Sequence, residues 1–341
     1  MSNYLFKSSL SFDDVLLEPK YSEIISRSEI DISTEIGEMR FKLPVVSSPM
    51  DTVTETDMLH AMDAAGGLGI AHRYNSIEDQ CKMVSDAKTR GATYVGAAVG
   101  VSGDFVERAE SLADAGVSVL CIDIAHGHHV LMKNAINTIK NRLGDTVHIM
   151  AGNVATLRGF NDLADWGADS IRVGIGGGSI CSTRIQTGHG IPTFQSVFEC
   201  SRSDRDAALI ADGGIRTPGD IAKALAIGAD AVMLGSMLSG TDESPGEIFH
   251  VGGLPYKTYR GMASKEAQIQ WRGHVSSEEG VAYRSPYKGT VNDSLGLIEK
   301  SLKSSFSYSG VKNLKDFRYN SLFTRITQSG MAESRPHILQ K

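Results

Sequence analysis

YVGAAVGVSGDFVERAESLADAGVSVLCI, residues 94–122, holds the unit from which most of the chain is built. The run Tyr94–Val99 is apolar and short, which reads as a strand buried on both faces. From Phe105 onward the apolar residues Phe105-Val106, Ala109 and Leu112-Ala113 recur at the helical period. Gly116 then stops the helix, since a left-handed backbone costs glycine nothing, and the next apolar run, Val117–Ile122, begins at once. Strand, helix and strand in this order require parallel pairing through a right-handed crossover.

The unit recurs in both directions. Further apolar runs lie at Leu43–Val46, Leu68–Ala71, Val147–Met150, Ile171–Val173, Ala208–Ile210 and Ala231–Leu234, with helix-stopping glycines at Gly91, Gly144, Gly167 and Gly228. Eight strands predict a closed (β/α)8 TIM barrel. The rival is an open doubly wound sheet, but no GxGxxG follows the first strand. Polar or small residues instead follow nearly every strand: Ser48 and Met50, His72, Asp123, Asn153, the loop around Cys181, Asp212, and Gly235-Ser236. A barrel gathers all of these at one mouth, where active sites of this architecture lie. Residues 240–341 exceed one barrel helix, and Ser264–Tyr287 reads as a polar, helix-poor, mobile flap over that mouth. No linker divides the chain, so residues 1–341 are expected to form a single barrel domain with the flap at about 264–287.

Composition narrows the function classes. At 341 residues and 41% hydrophobic content the chain can bury a large core. A formal net charge of −6 gives no footprint for nucleic acid. No window approaches the roughly 18 apolar residues of a membrane span. Met1–Leu10, with Lys7 and three serines, lacks the apolar core of a signal peptide. Cys81, Cys121, Cys181 and Cys200 show no metal-type pairing, which fits reduced thiols in a cytoplasmic protein.

The chemistry concentrates in Gly174-Ile175-Gly176-Gly177-Gly178-Ser179-Ile180-Cys181-Ser182-Thr183-Arg184. A thiol on a glycine-rich loop at a strand end is a candidate nucleophile, because a thiolate needs access and dipolar or positive stabilisation. The alternative for any single cysteine is a buried structural thiol.

Five segments together carry a resemblance: Phe12-Asp13-Asp14-Val15-Leu16-Leu17, Ser47-Ser48-Pro49-Met50-Asp51-Thr52, the Cys181 loop, Asp212-Gly213-Gly214-Ile215-Arg216 and Tyr259-Arg260-Gly261-Met262. In these the chain resembles the inosine-monophosphate dehydrogenase / guanosine-monophosphate reductase family over essentially its whole length. The resemblance implies a (β/α)8 barrel, as the strand count does. It also implies a cysteine that attacks purine C2 and a nicotinamide cofactor that exchanges hydride with that carbon. The regulatory domain usually inserted after the second barrel strand of the dehydrogenases is absent, since Asn75 leads through one helix into Thr93–Gly100.

The two branches of the family leave mixed marks. Ser47–Glu55 and Asp123-Ile124-Ala125-His126-Gly127-His128 look like dehydrogenase, the reductases carrying asparagine where His126 stands. The flap looks like reductase: it is short, and Trp271-Arg272-Gly273-His274-Val275 contains no Arg-Tyr pair of the kind that activates water in the dehydrogenases. The expected activity is GMP reductase, converting GMP and NADPH to IMP and ammonia. The alternative is an IMP dehydrogenase without the regulatory domain, using NAD. A nucleotide-binding regulator is a third class, disfavoured because a pure binder has no need of the set Cys181, Thr183, Asp212 and Glu279.

Roles follow from the resemblance. Cys181 is the nucleophile, and Thr183 with Glu279 handles the proton of the departing amine, Glu278 being the alternative acid. Ser179, Gly214, Gly235, Ser236 and Tyr259 hold the 5′-phosphate, as backbone amides at glycine-rich strand ends can. Asp212 accepts from the ribose hydroxyls, and Ser48, Met50, Gly261 and Met262 frame the base. Asp123, Asn153 and His126 face the nicotinamide. The carbonyls of Gly176, Gly178 and Cys181 form a monovalent-cation site for K+. The His126, His128, His129 cluster lacks the carboxylate or thiol that would complete a zinc set. The resemblance also implies a homotetramer.

Overall fold

The computed structural model describes residues 8–276 and 278–334. Met1–Lys7 of the amino-terminal reading, Ser277 of the flap and positions 335–341 of the expected 1–341 domain lie outside the described residues. Eight parallel strands close on themselves: β1 (Val45–Ser47), β2 (Leu68–Ala71), β3 (Gly96–Val99), β4 (Val119–Asp123), β5 (His148–Val154), β6 (Ser170–Val173), β7 (Ala208–Asp212) and β8 (Ala231–Leu234). The last pairs back onto the first, Val232 opposite Val45 and Leu234 opposite Ser47. The fold is a TIM barrel.

Seven helices alternate with these strands: α1 (Thr56–Ala64), α2 (Ile77–Thr89), α3 (Phe105–Asp114), α4 (Val130–Leu143), α5 (Leu157–Asp165), α6 (Thr193–Cys200) and α7 (Pro218–Ala226). The glycine stops explain their abrupt ends. At α3, Gly116 takes φ +87°, its N–H donates to the Ala113 carbonyl (2.9 Å), and the Val117 N–H donates to Leu112 (3.1 Å). These two bonds satisfy carbonyls the helix would otherwise leave open, and they turn the chain straight into β4. The same pair of bonds closes α2 at Gly91, α5 at Gly167 and α7 at Gly228, whereas Gly144 caps α4 through a single bond to Lys140.

Two cores result. One lies between the sheet and its jacket of helices. The other fills the lower barrel with Leu68, Ile70, Val119, Met150, Ile210 and Met233, closed from beneath by Ile36, Met39 and Phe41. Those three sit on the antiparallel hairpin Thr34–Ile36/Met39–Phe41. Burying one such side chain stabilises the fold by about 1.5–3 kcal/mol.

The structure differs from the sequence reading in two places. Asp123, Asn153 and Asp212 lie within strands rather than beyond them, because pairing continues to Asp123↔Gly152 and Asp212↔Met233. The stretch Ser264–Tyr287 is also not helix-poor. Ser264 caps an α-helix, Lys265–Arg272, its side chain accepting from the Ala267 N–H. That segment is made of good helix formers, and its polarity conceals the element. Ala282–Pro286 then pairs antiparallel with Leu254–Arg260, which pairs with Phe249–Val251. The excursion returns to where it left, with Lys288 N–H donating to the Gly240 carbonyl and Asp242 N–H to Gly289, each at 2.9 Å. After it comes α8 (Val291–Tyr308), the eighth barrel helix, packed on α7. No helix among the described residues is long and apolar enough to cross a membrane.

Candidate active site

The loop after β6 is shaped by contact with the strand beside it. Gly174 has φ +147°, and a Cβ there would stand 1.9 Å from the Asp212 carbonyl oxygen, so only glycine fits. The returning flap is hydrogen-bonded along this loop: Val281 N–H donates to Ile180 O (3.0 Å) and Ser182 N–H to Glu279 O (2.9 Å). This pairing brings the side chain of Glu279 to the loop that carries Cys181. The Cys181 thiol donates to Thr183 Oγ1 at 3.2 Å, and the Thr183 hydroxyl donates to Glu279 Oε2 at 2.8 Å. Glu278 is exposed and does not line the cavity.

These three residues line a cavity of about 320 Å³ at the carboxyl ends of the strands, within the size range of small-molecule sites. Asp212 and Asn153 stand on one wall, with Asn153 Nδ2 donating to Asp212 Oδ2 (2.8 Å) and to the Gly174 carbonyl (2.9 Å). Ser179, Gly214, Gly235, Ser236 and Tyr259 gather on another wall. A Cβ at Gly235 would stand 2.8 Å from the Tyr259 hydroxyl, so the small residue is what admits the phenol. Burial pushes the Tyr259 phenol up to about 12, opposed by a hydrogen bond with Ser179, and it stays protonated as a donor. Lys288, which the sequence reading passed over, holds the loop behind this wall by donating to the carbonyls of Ser236 (2.5 Å) and Ser239 (2.8 Å).

Ser48, Met50, Gly261 and Met262 complete the cavity on the side of β1 and the flap. Arg260 Nε donates to Asp51 Oδ2 at 2.9 Å, and the Asp51 N–H reaches Met262 Sδ at 3.3 Å. The segment carrying Met50 is thereby tied to the segment carrying Met262.

Asp123 lines the opposite end with Arg73 and Tyr74. His126, expected beside them, is exposed and absent from the cavity wall. The backbone bonds Gly127 N–H to Asn153 O (2.7 Å) and Ile124 N–H to Gly152 O (3.1 Å) pin the chain on either side of it. His128 is engaged with Asp162 at 2.7 Å. Among the described residues no group of three His, Cys, Asp or Glu side chains could hold a metal.

Two cationic residues of the site went unread. Arg172 stands in β6 with its side chain 8% exposed, between Asp123 (2.6 Å) and Asp212 (2.9 Å). Burial works against its charge, but Cys121, Asp123 and Asp212 outweigh it and hold its pKa well above the ordinary arginine value. The signal was present in the sequence: an arginine inside an otherwise apolar buried strand must be paired. Arg73 follows β2, its Nε buried without a hydrogen-bond partner among the described residues, 3.9 Å from Asp123 Oδ2. Tyr74 beside it stacks on Trp271 of the flap helix, ring centroids 5.9 Å apart.

Comparison with known proteins agrees with the fold. Residues 9–337 match the family model described as IMP dehydrogenase / GMP reductase domain. Inosine-5′-monophosphate dehydrogenase of Nitrosopumilus maritimus (strain SCM1) is 34% identical over 472 residues, covering 97% of this chain and 98% of the relative. That alignment is longer than the chain, so the relative carries residues with no counterpart here. Inosine-5′-monophosphate dehydrogenase of Cryptosporidium parvum is 36% identical over 386 residues, covering 97% of this chain and 95% of the relative. A cysteine-to-alanine variant of GMP reductase from Trypanosoma brucei, solved in complex with guanosine 5′-monophosphate, superposes with a TM-score of 0.92 at 30% identity, covering 97% of this chain and 98% of the other. The chain belongs to the IMP dehydrogenase / GMP reductase family of purine-nucleotide oxidoreductases.

Proposed function

We propose that the chain is a GMP reductase, which reduces GMP with NADPH to IMP and ammonia. The observation that carries this reading is the donor chain from the Cys181 thiol through Thr183 to Glu279. Cys181 Sγ bonds to purine C2, its proton passes by Thr183 to Glu279, and Glu279 hands it to the departing amine as the C2–N bond breaks. A bound nicotinamide cofactor supplies the hydride that C2 accepts. The C–S bond then breaks, and the thiolate regains a proton through Thr183. In balance, GMP, NADPH and two protons become IMP, NADP+ and ammonium.

The remaining residues bind and orient. Asp212 accepts from the ribose hydroxyls; Ser179, Gly214, Gly235, Ser236 and Tyr259 donate to the phosphate; Ser48, Met50, Gly261 and Met262 enclose the base. Family membership implies a nicotinamide dinucleotide, and the residues present suit one. Asp123, Asn153 and Arg73 would hold it, and Arg73 Nε, without a hydrogen-bond partner among the described residues, offers a donor to its amide or phosphates. The Gly176, Gly178 and Cys181 carbonyls are neutral oxygens on one turn, which suits K+, although Gly178 O already accepts the Cys181 N–H at 3.1 Å. A cytoplasmic homotetramer completes the proposal, and sedimentation at micromolar concentration tests the assembly.

The second reading, IMP dehydrogenase, is favoured by the names of the relatives. It needs a base that activates water. Arg272, the arginine between Ser264 and Glu279, donates to Gln268 and to Ser276 Oγ (2.7 Å) and does not line the cavity. The experiment is to offer GMP with NADPH and IMP with NAD separately and follow the reduced nicotinamide. Oxidation of NADPH with release of IMP is expected, and sustained formation of xanthosine monophosphate replaces this reading by the dehydrogenase.

A further inference from the structure

We infer that Arg172 is a positioning residue that locks the cofactor-facing and ribose-facing carboxylates into one unit, so that the purine nucleotide and the nicotinamide cofactor bind interdependently. The inference rests on the roles proposed above for Asp123 and Asp212.

The argument begins with the strands. Asp123, Gly152 and Arg172 lie side by side across β4, β5 and β6. Gly152 supplies the gap: a Cβ there would stand 2.6 Å from the Cβ of Arg172. Through that gap Arg172 Nη1 donates to Asp123 Oδ1 at 2.6 Å. On its other side Nη2 and Nε donate to Asp212 Oδ2 at 2.9 and 3.3 Å. One planar guanidinium therefore spans strands β4 and β7, a reach and a geometry that an ammonium group cannot reproduce.

The distribution of oxygens matters as much. Arg172 and Asn153 both use Oδ2 of Asp212, so Oδ1 has no protein partner among the described residues. Oδ2 of Asp123 is only at ion-pair distance from Arg73, 3.9 Å. Each carboxylate thus keeps an oxygen for a ligand, while its other oxygen is fixed to the shared cation. A ligand seated on either carboxylate restrains the guanidinium, and the second ligand meets a carboxylate already in place. Ordering that is completed once appears as positive coupling between the two sites.

Arg172→Lys keeps the charge and removes the bridge; Arg172→Gln removes both. GMP binding is measured by calorimetry with and without saturating NADP+, which cannot reduce GMP, alongside thermal melting and steady-state kinetics. In the unaltered enzyme NADP+ is expected to tighten GMP binding at least about fivefold. In Arg172→Lys that factor falls to about one and kcat drops on the order of 10²-fold, as expected for misplaced reactants. A GMP affinity indifferent to NADP+ in the unaltered enzyme overturns the inference. So does a Lys variant that melts earlier yet keeps the coupling, since that is a structural role alone. Asp212→Asn leaving GMP affinity untouched overturns the ribose reading itself, and the inference with it.

Discussion

The two ends of the barrel interior are built from the same strands and have opposite chemistry. Along β4 the inward positions run Val119, Cys121, Asp123; along β7 Ile210 is followed by Asp212; on β6 Ser170 is followed by Arg172. Residues two apart share a face of a strand, so each sequence climbs from the lower core to the mouth in one step of the pleat. The lower layers are mainly apolar, with Ser170 hydrogen-bonded to His148 at 2.8 Å, and are sealed by the Phe41 hairpin. The upper layer holds two carboxylates on one guanidinium. The difference teaches that the barrel separates stability from chemistry by height: packing holds the lower layers together, and paired charge organises the upper one.

Changes at the two ends should therefore fail in different ways. The largest expected effect is at the top. Cys181→Ala should lower kcat at least about 10⁴-fold, as removal of a nucleophile does, while calorimetry finds GMP affinity and melting temperature little changed. A variant that loses GMP binding instead would make Cys181 a binding residue. Glu279→Gln comes next, with kcat falling roughly 10²–10⁴-fold, the size of a proton-transfer contribution, and GMP affinity held. If affinity and rate fall together, the relay through Thr183 is the wrong assignment.

At the lower end the pattern reverses. Phe41→Ala should cost about 3–5 kcal/mol of stability by leaving a cavity, read by denaturant unfolding, with kcat per folded molecule unchanged. A rate loss at full folding would show that the hairpin reaches the chemistry. The smallest effects belong to the other thiols. Burial pushes Cys121 up to about 11 and Cys200 up to about 12. A raised thiol pKa means the neutral, unreactive form persists until the pH approaches that value. Between pH 7 and 8 an iodoacetamide reagent should label Cys181 and spare both, GMP should protect Cys181, and Cys200→Ala should leave turnover unchanged. Mass spectrometry of the labelled peptides decides it.

The fold was legible because its signals are local. Short apolar runs, helical spacing and the glycine stops at Gly91, Gly116, Gly167 and Gly228 each act within a few residues, and the structure uses them as such. Much of the candidate cavity's lining was legible for a similar reason: Cys181 and Asp212 lie in a loop and at a strand end whose glycines mark a close approach. What stayed hidden depends on partners far away in the chain. Arg172 reads as an interruption of an apolar run until Asp123 and Asp212 are beside it. The flap helix Lys265–Arg272 buries only Ala267 and Gln268, so no run of apolar core residues marks it in the sequence. His126, singled out beside Asp123, is exposed and stands one residue beyond the last cavity-lining position of its loop, Ala125.

The excursion between β8 and α8 leaves and rejoins the barrel at one point, Gly240 and Lys288 being hydrogen-bonded neighbours. Its two ends present a nearly fixed separation whatever lies between them, and the closure entropy of such a segment grows only slowly with its length. Glu279, the proposed proton carrier, thus rides on a segment whose length can change at little cost to its closure. On the proposed reading Cys181, Thr183 and Asp212 belong to the socket, whereas Tyr259, Gly261, Met262 and Glu279 ride on the excursion, so a change of length there reaches the proton relay without moving the thiol.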